Sequence, residues 1–134
     1  GPNMELQAWK VRMVQLTSLS DQFQTRQCKV VIGVLTAAQD PGIDAWKLLE
    51  DRVVEAVNEA KDNVKYLVTI EKVCEPLYKC DPVQNLSLVP ALINALKMMN
   101  NIAKYYNTSE RMASLFRKIT NQMVLCCKQY IERN

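Results

Sequence analysis

With 134 residues, 49% of them apolar, the chain is long enough for one domain and one core. Three glycines and five prolines are too few for the frequent turns of an all-β fold, and a net charge of +3 is too small to argue for nucleic acid by itself. The absence of histidine removes the commonest general base and metal ligand.

Gly1-Pro2 has the form of a remnant of tag cleavage, so residues 3–134 are read as a single helical-bundle segment of something longer. The first helix is predicted from about Met4 to Phe23, with Leu6, Trp9, Met13, Leu16 and Phe23 on one face at three- and four-residue steps. Thr17, Ser18 and Ser20 weaken its second half, and Ser20-Asp21 is a candidate break. A second helix from Thr25 to Ala38 carries Cys28, Val31, Ile32 and Leu35. Gly33 inside it costs about 1 kcal/mol against Ala, which suggests a close helix approach or a local weakness. Residues 4–38 read equally as one bent helix or as two.

Gln39-Asp40-Pro41-Gly42 is the clearest turn, with Asp40 placed to cap the next helix and Pro41 to begin it. From Ile43 to Cys74 the chain has no Gly or Pro, and the pattern predicts one long amphipathic helix, roughly 48 Å from end to end. Trp46, Val53, Ala60, Leu67 and Cys74 form one seven-residue row, and Leu49, Ala56, Asn63 and Ile70 form a second. Asn63 is therefore a candidate hydrogen-bonded core amide. Glu75-Pro76 ends this helix, and the next starts near Ser87 with Pro90 in its first turn. Leu92, Leu96, Met99, Ile102 or Ala103, and Tyr106 make its apolar face. Asn107 is the predicted N-cap of a last helix, with Glu110 in the capping-box position. Its seam is Met112, Phe116, Ile119, Met123, Cys126 and Tyr130. The expected fold is all-α, an elongated antiparallel bundle of about four to five helices.

No catalytic chemistry is visible. There is no glycine-rich phosphate loop, and Glu50, Asp51, Glu55, Glu59 and Asp62 sit among Lys47, Arg52, Lys61 and Lys65 as mixed surface charge. The cysteines Cys28, Cys74, Cys80, Cys126 and Cys127 form no CxxC pair, and their odd number fits a reducing compartment. No metal, cofactor, nucleic-acid partner or membrane span is expected. Leu19, Val30, Val34, Val54, Val68, Val89 and Val124 fall off the main apolar stripes, a surplus that suits pairing of two copies.

Three stretches resemble the N-terminal tail region of dynein heavy chains: Glu5-Leu6-Gln7-Ala8-Trp9 with Arg12 and Leu16, then Glu59 through Leu67, then Tyr105-Tyr106-Asn107-Thr108-Ser109-Glu110-Arg111-Met112 continuing to Met123. The third is the most specific, and its wording is closer to axonemal chains, especially the outer-arm type, than to cytoplasmic ones. The resemblance implies a non-catalytic scaffold within a larger ATP-driven motor. Its implied partners are other heavy chains, intermediate and light chains and adjacent tail bundles, with a homodimer as the alternative. It implies a cytoplasmic location at the axoneme of a cilium or flagellum. It also implies architectural roles for Trp9, Asn63, Tyr106, Asn107 and Glu110.

Overall fold

The computed structural model describes residues 2–79 and 81–133, with backbone alone for residues 82 and 83. Cys80, and Gly1 of the tag-remnant reading, lie outside the described residues. Five helices follow one another: α1 (Pro2–Phe23), α2 (Arg26–Ala37), α3 (Gly42–Leu77), α4 (Pro82–Ile102) and α5 (Ser109–Arg133). There is no strand among the described residues, and the chain is an all-α helical bundle as expected. Its contacts fall into two units, one of Trp9–Lys61 and one of Gly1–Ala8 with Asp62–Asn134.

The Trp9–Lys61 unit is built on Phe23, Val53 and Val57, with Leu16 and Trp46 packed against them. The rings of Phe23 and Trp46 lie 5.0 Å apart at 55°, a tilted pair. α1 runs straight through Ser20-Asp21, and the break comes at Gln24-Thr25, so α1 and α2 are two helices. The Thr25 hydroxyl accepts from the Cys28 N–H at 3.3 Å, capping α2. α2 closes in a Schellman turn: Asp40 N–H donates to the Leu35 carbonyl and Gln39 N–H to that of Thr36. Gln39 takes the left-handed conformation this turn requires, at φ 54°. Asp40 Oδ1 then accepts from Gly42 N–H at 2.8 Å, starting α3 where the turn signal placed it.

The second unit buries Leu67, Ile70, Cys74 and Leu77 of α3 against Leu92, Leu96 and Met99 of α4 and Leu115 and Ile119 of α5, with Leu6 of α1. Ala103, not Ile102, continues the α4 face inward. α3 runs past its expected end, whereas α4 starts earlier than expected and stops at Ile102, so Tyr106 lies in the connection after α4 and not on its apolar face. α3 passes through Pro76, because a proline in the last turn removes only one hydrogen bond. α4 begins at Pro82, so Pro90 lies inside it and not in its first turn. The reason is Asp81: its carboxylate accepts from Gln84 N–H at 3.2 Å and its carbonyl from Asn85 N–H at 2.8 Å. That is a capped start, ahead of the one expected near Ser87.

Two apolar rows also need correction. Leu49 is exposed, although it heads the second row of α3. A helix of 3.6 residues per turn drifts about 20° per heptad, so this row turns inward only further along, at Asn63, Ile70 and Leu77. In α5, Phe116 and Tyr130 are exposed while Leu115 is fully buried. Leu115 and Phe116 both continue a three- or four-residue step from Met112, and packing selects Leu115.

Candidate functional site

The connection between α4 and α5, residues 103–108, is organised by its own side chains. The two tyrosine rings meet edge to face, with Tyr105 and Tyr106 centroids 4.9 Å apart. Arg111, one turn into α5, lies 4.2 Å over the Tyr105 ring and donates to the Tyr105 carbonyl at 3.1 Å. The cap of α5 is Thr108 and not Asn107: its hydroxyl accepts from Arg111 N–H at 3.4 Å, and its carbonyl from Met112 N–H. Starting one residue later puts Glu110 out of the position from which it would close a capping box. Asn107 and Glu110 are both exposed.

Tyr106 is fully buried, and its hydroxyl donates to Glu5 Oε1. The other oxygen of Glu5 accepts from Lys118 Nζ at 2.8 Å. Glu5, with a side chain only 14% exposed, thus clasps α1 to the α4–α5 connection and to α5 at once. Sequence reasoning singles out Tyr106 but not Glu5 or Lys118. The signal is present in Glu5, which is both the one acid in the first turn of α1 and the neighbour of buried Leu6.

Trp9 is buried in α1, with the Arg12 guanidinium 5.2 Å from its ring. Asn63 is buried as expected, yet its amide nitrogen finds no acceptor among the described residues, so the expected hydrogen-bonded amide is only half realised. Burial pushes the Cys74 thiol up from its ordinary 9.0, and the Tyr78 hydroxyl one turn on draws it part of the way back. Burial raises Tyr78 as well. Cys74 is therefore a small apolar filler and no nucleophile. Cys28, Cys74 and Cys126 are free thiols.

Surfaces dominate the rest. Between α4 and α5 runs an apolar groove of about 440 Å³, walled by Val89, Ile93, Phe116, Met123, Val124 and Ile131. A second groove of about 400 Å³, reaching Lys97 and Ser109, shares Ile93 and Phe116 with it. A third, of about 350 Å³, lies between α3 and α4 beside Met98 and Ile102. Among the described residues no group of three His, Cys, Asp or Glu could hold a metal ion, and no helix is long and apolar enough to cross a membrane.

The chain is thus all-helical, with polar contacts that clasp its helices and with apolar grooves. Over residues 1–134 it matches the family described as dynein heavy chain, N-terminal region 1. The chain belongs to that family. It is 49% identical over its whole length to dynein axonemal heavy chain 5 of Rattus norvegicus, covering 4% of that protein. It is 47% identical over 131 residues (98% of the chain, 3% of the relative) to dynein axonemal heavy chain 8 of Homo sapiens. Against the dynein gamma chain of the flagellar outer arm of Chlamydomonas reinhardtii the identity is 41% over the whole chain, again 3% of the relative. The chain thus spans only a few hundredths of the length of these relatives.

Proposed function

We propose that this segment is a non-catalytic structural part of an axonemal dynein tail in a cilium or flagellum. It acts as a scaffold through which heavy chains associate, intermediate and light chains attach, and the motor complex docks. The observation that carries the reading is α2. This 12-residue helix buries none of its residues, and Val30, Val31 and Val34, within one 100° arc, are 58%, 55% and 63% exposed. Such a face is consistent with a helix that another chain covers.

The test is copurification. A tail fragment spanning this segment, with Val30, Val31 and Val34 all changed to Ser, is compared with wild type for retention of intermediate chains, light chains and the neighbouring heavy chain. We expect retention to fall while helicity by circular dichroism is unchanged. Full retention by the variant removes the support that α2 lends.

A second reading, self-association, is favoured by the surplus of apolar residues: of the seven off-stripe positions, Leu19, Val30, Val34, Val54, Val89 and Val124 are exposed. Light scattering across a concentration range separates the readings, since a stable mass of two chains supports pairing and a mass of one chain opposes it.

A further inference from the structure

The grooves beside α4 and α5 form one surface, because the two larger ones share Ile93 and Phe116. The joint groove follows α5 from Ser109 to Ile131, which at 1.5 Å per residue is about 33 Å. Its walls are apolar for most of that length. Phe116, Val124 and Ile131 stand 44%, 52% and 73% exposed along it.

Its charged groups are few and of one sign. Lys97 lines one end and Lys128 the other, and no carboxylate lines either groove among the described residues. Neither lysine is ion-paired among the described residues, whereas Lys118 is held by Glu5 and Arg111 by Tyr105. α4 and α5 together carry six Lys or Arg against two Glu. An occupant must therefore be apolar along one side and negatively charged beside it.

It must also leave no backbone group unpaired against an apolar wall. An extended strand fails here, since nothing in the groove offers a ladder of donors and acceptors. A helix satisfies its own backbone and presents side chains at three- and four-residue steps, matching the ridges of two packed helices. About twenty residues of helix fill the length.

A second copy of this chain does not supply such a helix. Its acidic helix is α3, whose apolar stripe is already buried at Val53, Val57, Ala60 and Leu67. The exposed Leu48, Leu49 and Val54 of α3 point to different sides at 100° per residue and make no stripe. We propose that the α4–α5 groove is the seat of an acidic amphipathic helix from another polypeptide of the assembly. This rests on the reading of the segment as a tail scaffold and names the chemistry of one partner.

The probe is a fluorescent helical peptide of about 21 residues, with Leu and Phe at three- and four-residue steps and Glu on the flanks. A twin peptide has Lys in place of every Glu. By anisotropy with the 134-residue chain, we expect saturable binding of the acidic peptide and at least about tenfold weaker binding of the basic one. Raising the salt should weaken the acidic complex. Lys97→Glu with Lys128→Glu should reverse the preference. Val124→Asp, on the exposed groove wall, should abolish binding with helicity unchanged.

No binding of the acidic peptide, equal affinity for both peptides, or indifference to the double charge reversal each overturns the proposal. So does a two-chain mass that Val124→Asp returns to one, because the occupant is then a second copy. The α2 triple variant keeps the two ideas separate. If it loses tail subunits while the peptide does not bind, only this inference falls. If the peptide binds but subunit retention depends on neither face, the scaffold reading falls.

Discussion

Glu5 accepts hydrogen bonds from two very different donors, and they should be unequal when removed. The Tyr106 hydroxyl is fully buried, so Tyr106→Phe leaves one carboxylate oxygen short of a partner in a shielded place. The expected loss is about 1.5–3 kcal/mol by urea denaturation. Lys118 has a side chain 45% exposed, and solvent screening reduces its share, so Lys118→Met should cost no more than about 1 kcal/mol. Asn63 presents the opposite case. Its amide nitrogen is buried without an acceptor among the described residues, and Asn63→Leu removes that penalty at the cost of a modest gain in volume. The substitution should leave stability unchanged or raise it by about 1–3 kcal/mol, read as a higher melting temperature. Cys74 gives a pH dependence. Its folded-state pKa is raised above the ordinary 9.0, so the folded chain holds this proton more tightly than the unfolded one. The resulting stability is present in full below pH 9.0 and declines as the pH rises through the folded value. Cys74→Val should flatten that alkaline loss, and native-state alkylation should modify the half-buried Cys28 well before Cys74.

Among the elements, α2 is where local sequence and conformation disagree. Gln39 occupies a left-handed position that glycine takes without steric cost, while Gly33 sits in an open helix position, with nothing within 4 Å of the point where a methyl carbon would stand. Gln39→Gly should therefore stabilise by about 0.5–1 kcal/mol and Gly33→Ala by about 1 kcal/mol, both measurable by thermal melts. The close-approach explanation of Gly33 finds no neighbour to support it. The same physics explains which helix ends are legible. Asp-Pro occurs twice as a start signal, at Asp40-Pro41 and Asp81-Pro82. The first is unambiguous because Gly42 and a broken apolar pattern surround it. The second reads as a breaker because Pro76 precedes it closely and Pro90 follows, and single prolines cannot reveal whether hydrogen bonds resume around them. The cap of α5 slips by one residue for a similar reason: Asn107, Thr108 and Ser109 are all competent caps, and only the backbone path through Tyr105 and Tyr106 selects among them. Heptad spacing identifies the inner row of α3 at Val53, Ala60, Leu67 and Cys74, yet it does not choose between Leu115 and Phe116 on α5.

Across the molecule, burial is unevenly shared. The Trp9–Lys61 unit rests on a cluster of three buried residues, Phe23, Val53 and Val57, and contains the unburied α2. The other unit buries large side chains from α3, α4 and α5 together with the Tyr106 clasp. Opening free energy follows such differences, so amide hydrogen exchange should be fastest in α2, slower in the α1 and α3 portions around Phe23 and Val53, and slowest from Leu67 to Leu77. Protection of α2 equal to that of Leu67–Leu77 would contradict this ranking. An all-α architecture is legible from the scarcity of glycine and the unbroken α3 pattern. The grooves are not, because they are made by which of two neighbouring apolar residues faces outward, and that is decided only when helices from distant parts of the chain meet.

The Glu5 clasp also has a consequence in time. Its partners lie 101 and 113 residues further along the chain. At about 5–20 residues per second, a ribosome takes roughly 6–23 s to make Lys118 after Glu5 has left the peptidyl-transfer centre. Through that interval Glu5 has neither of these two partners, so the clasp closes only after α5 has been made.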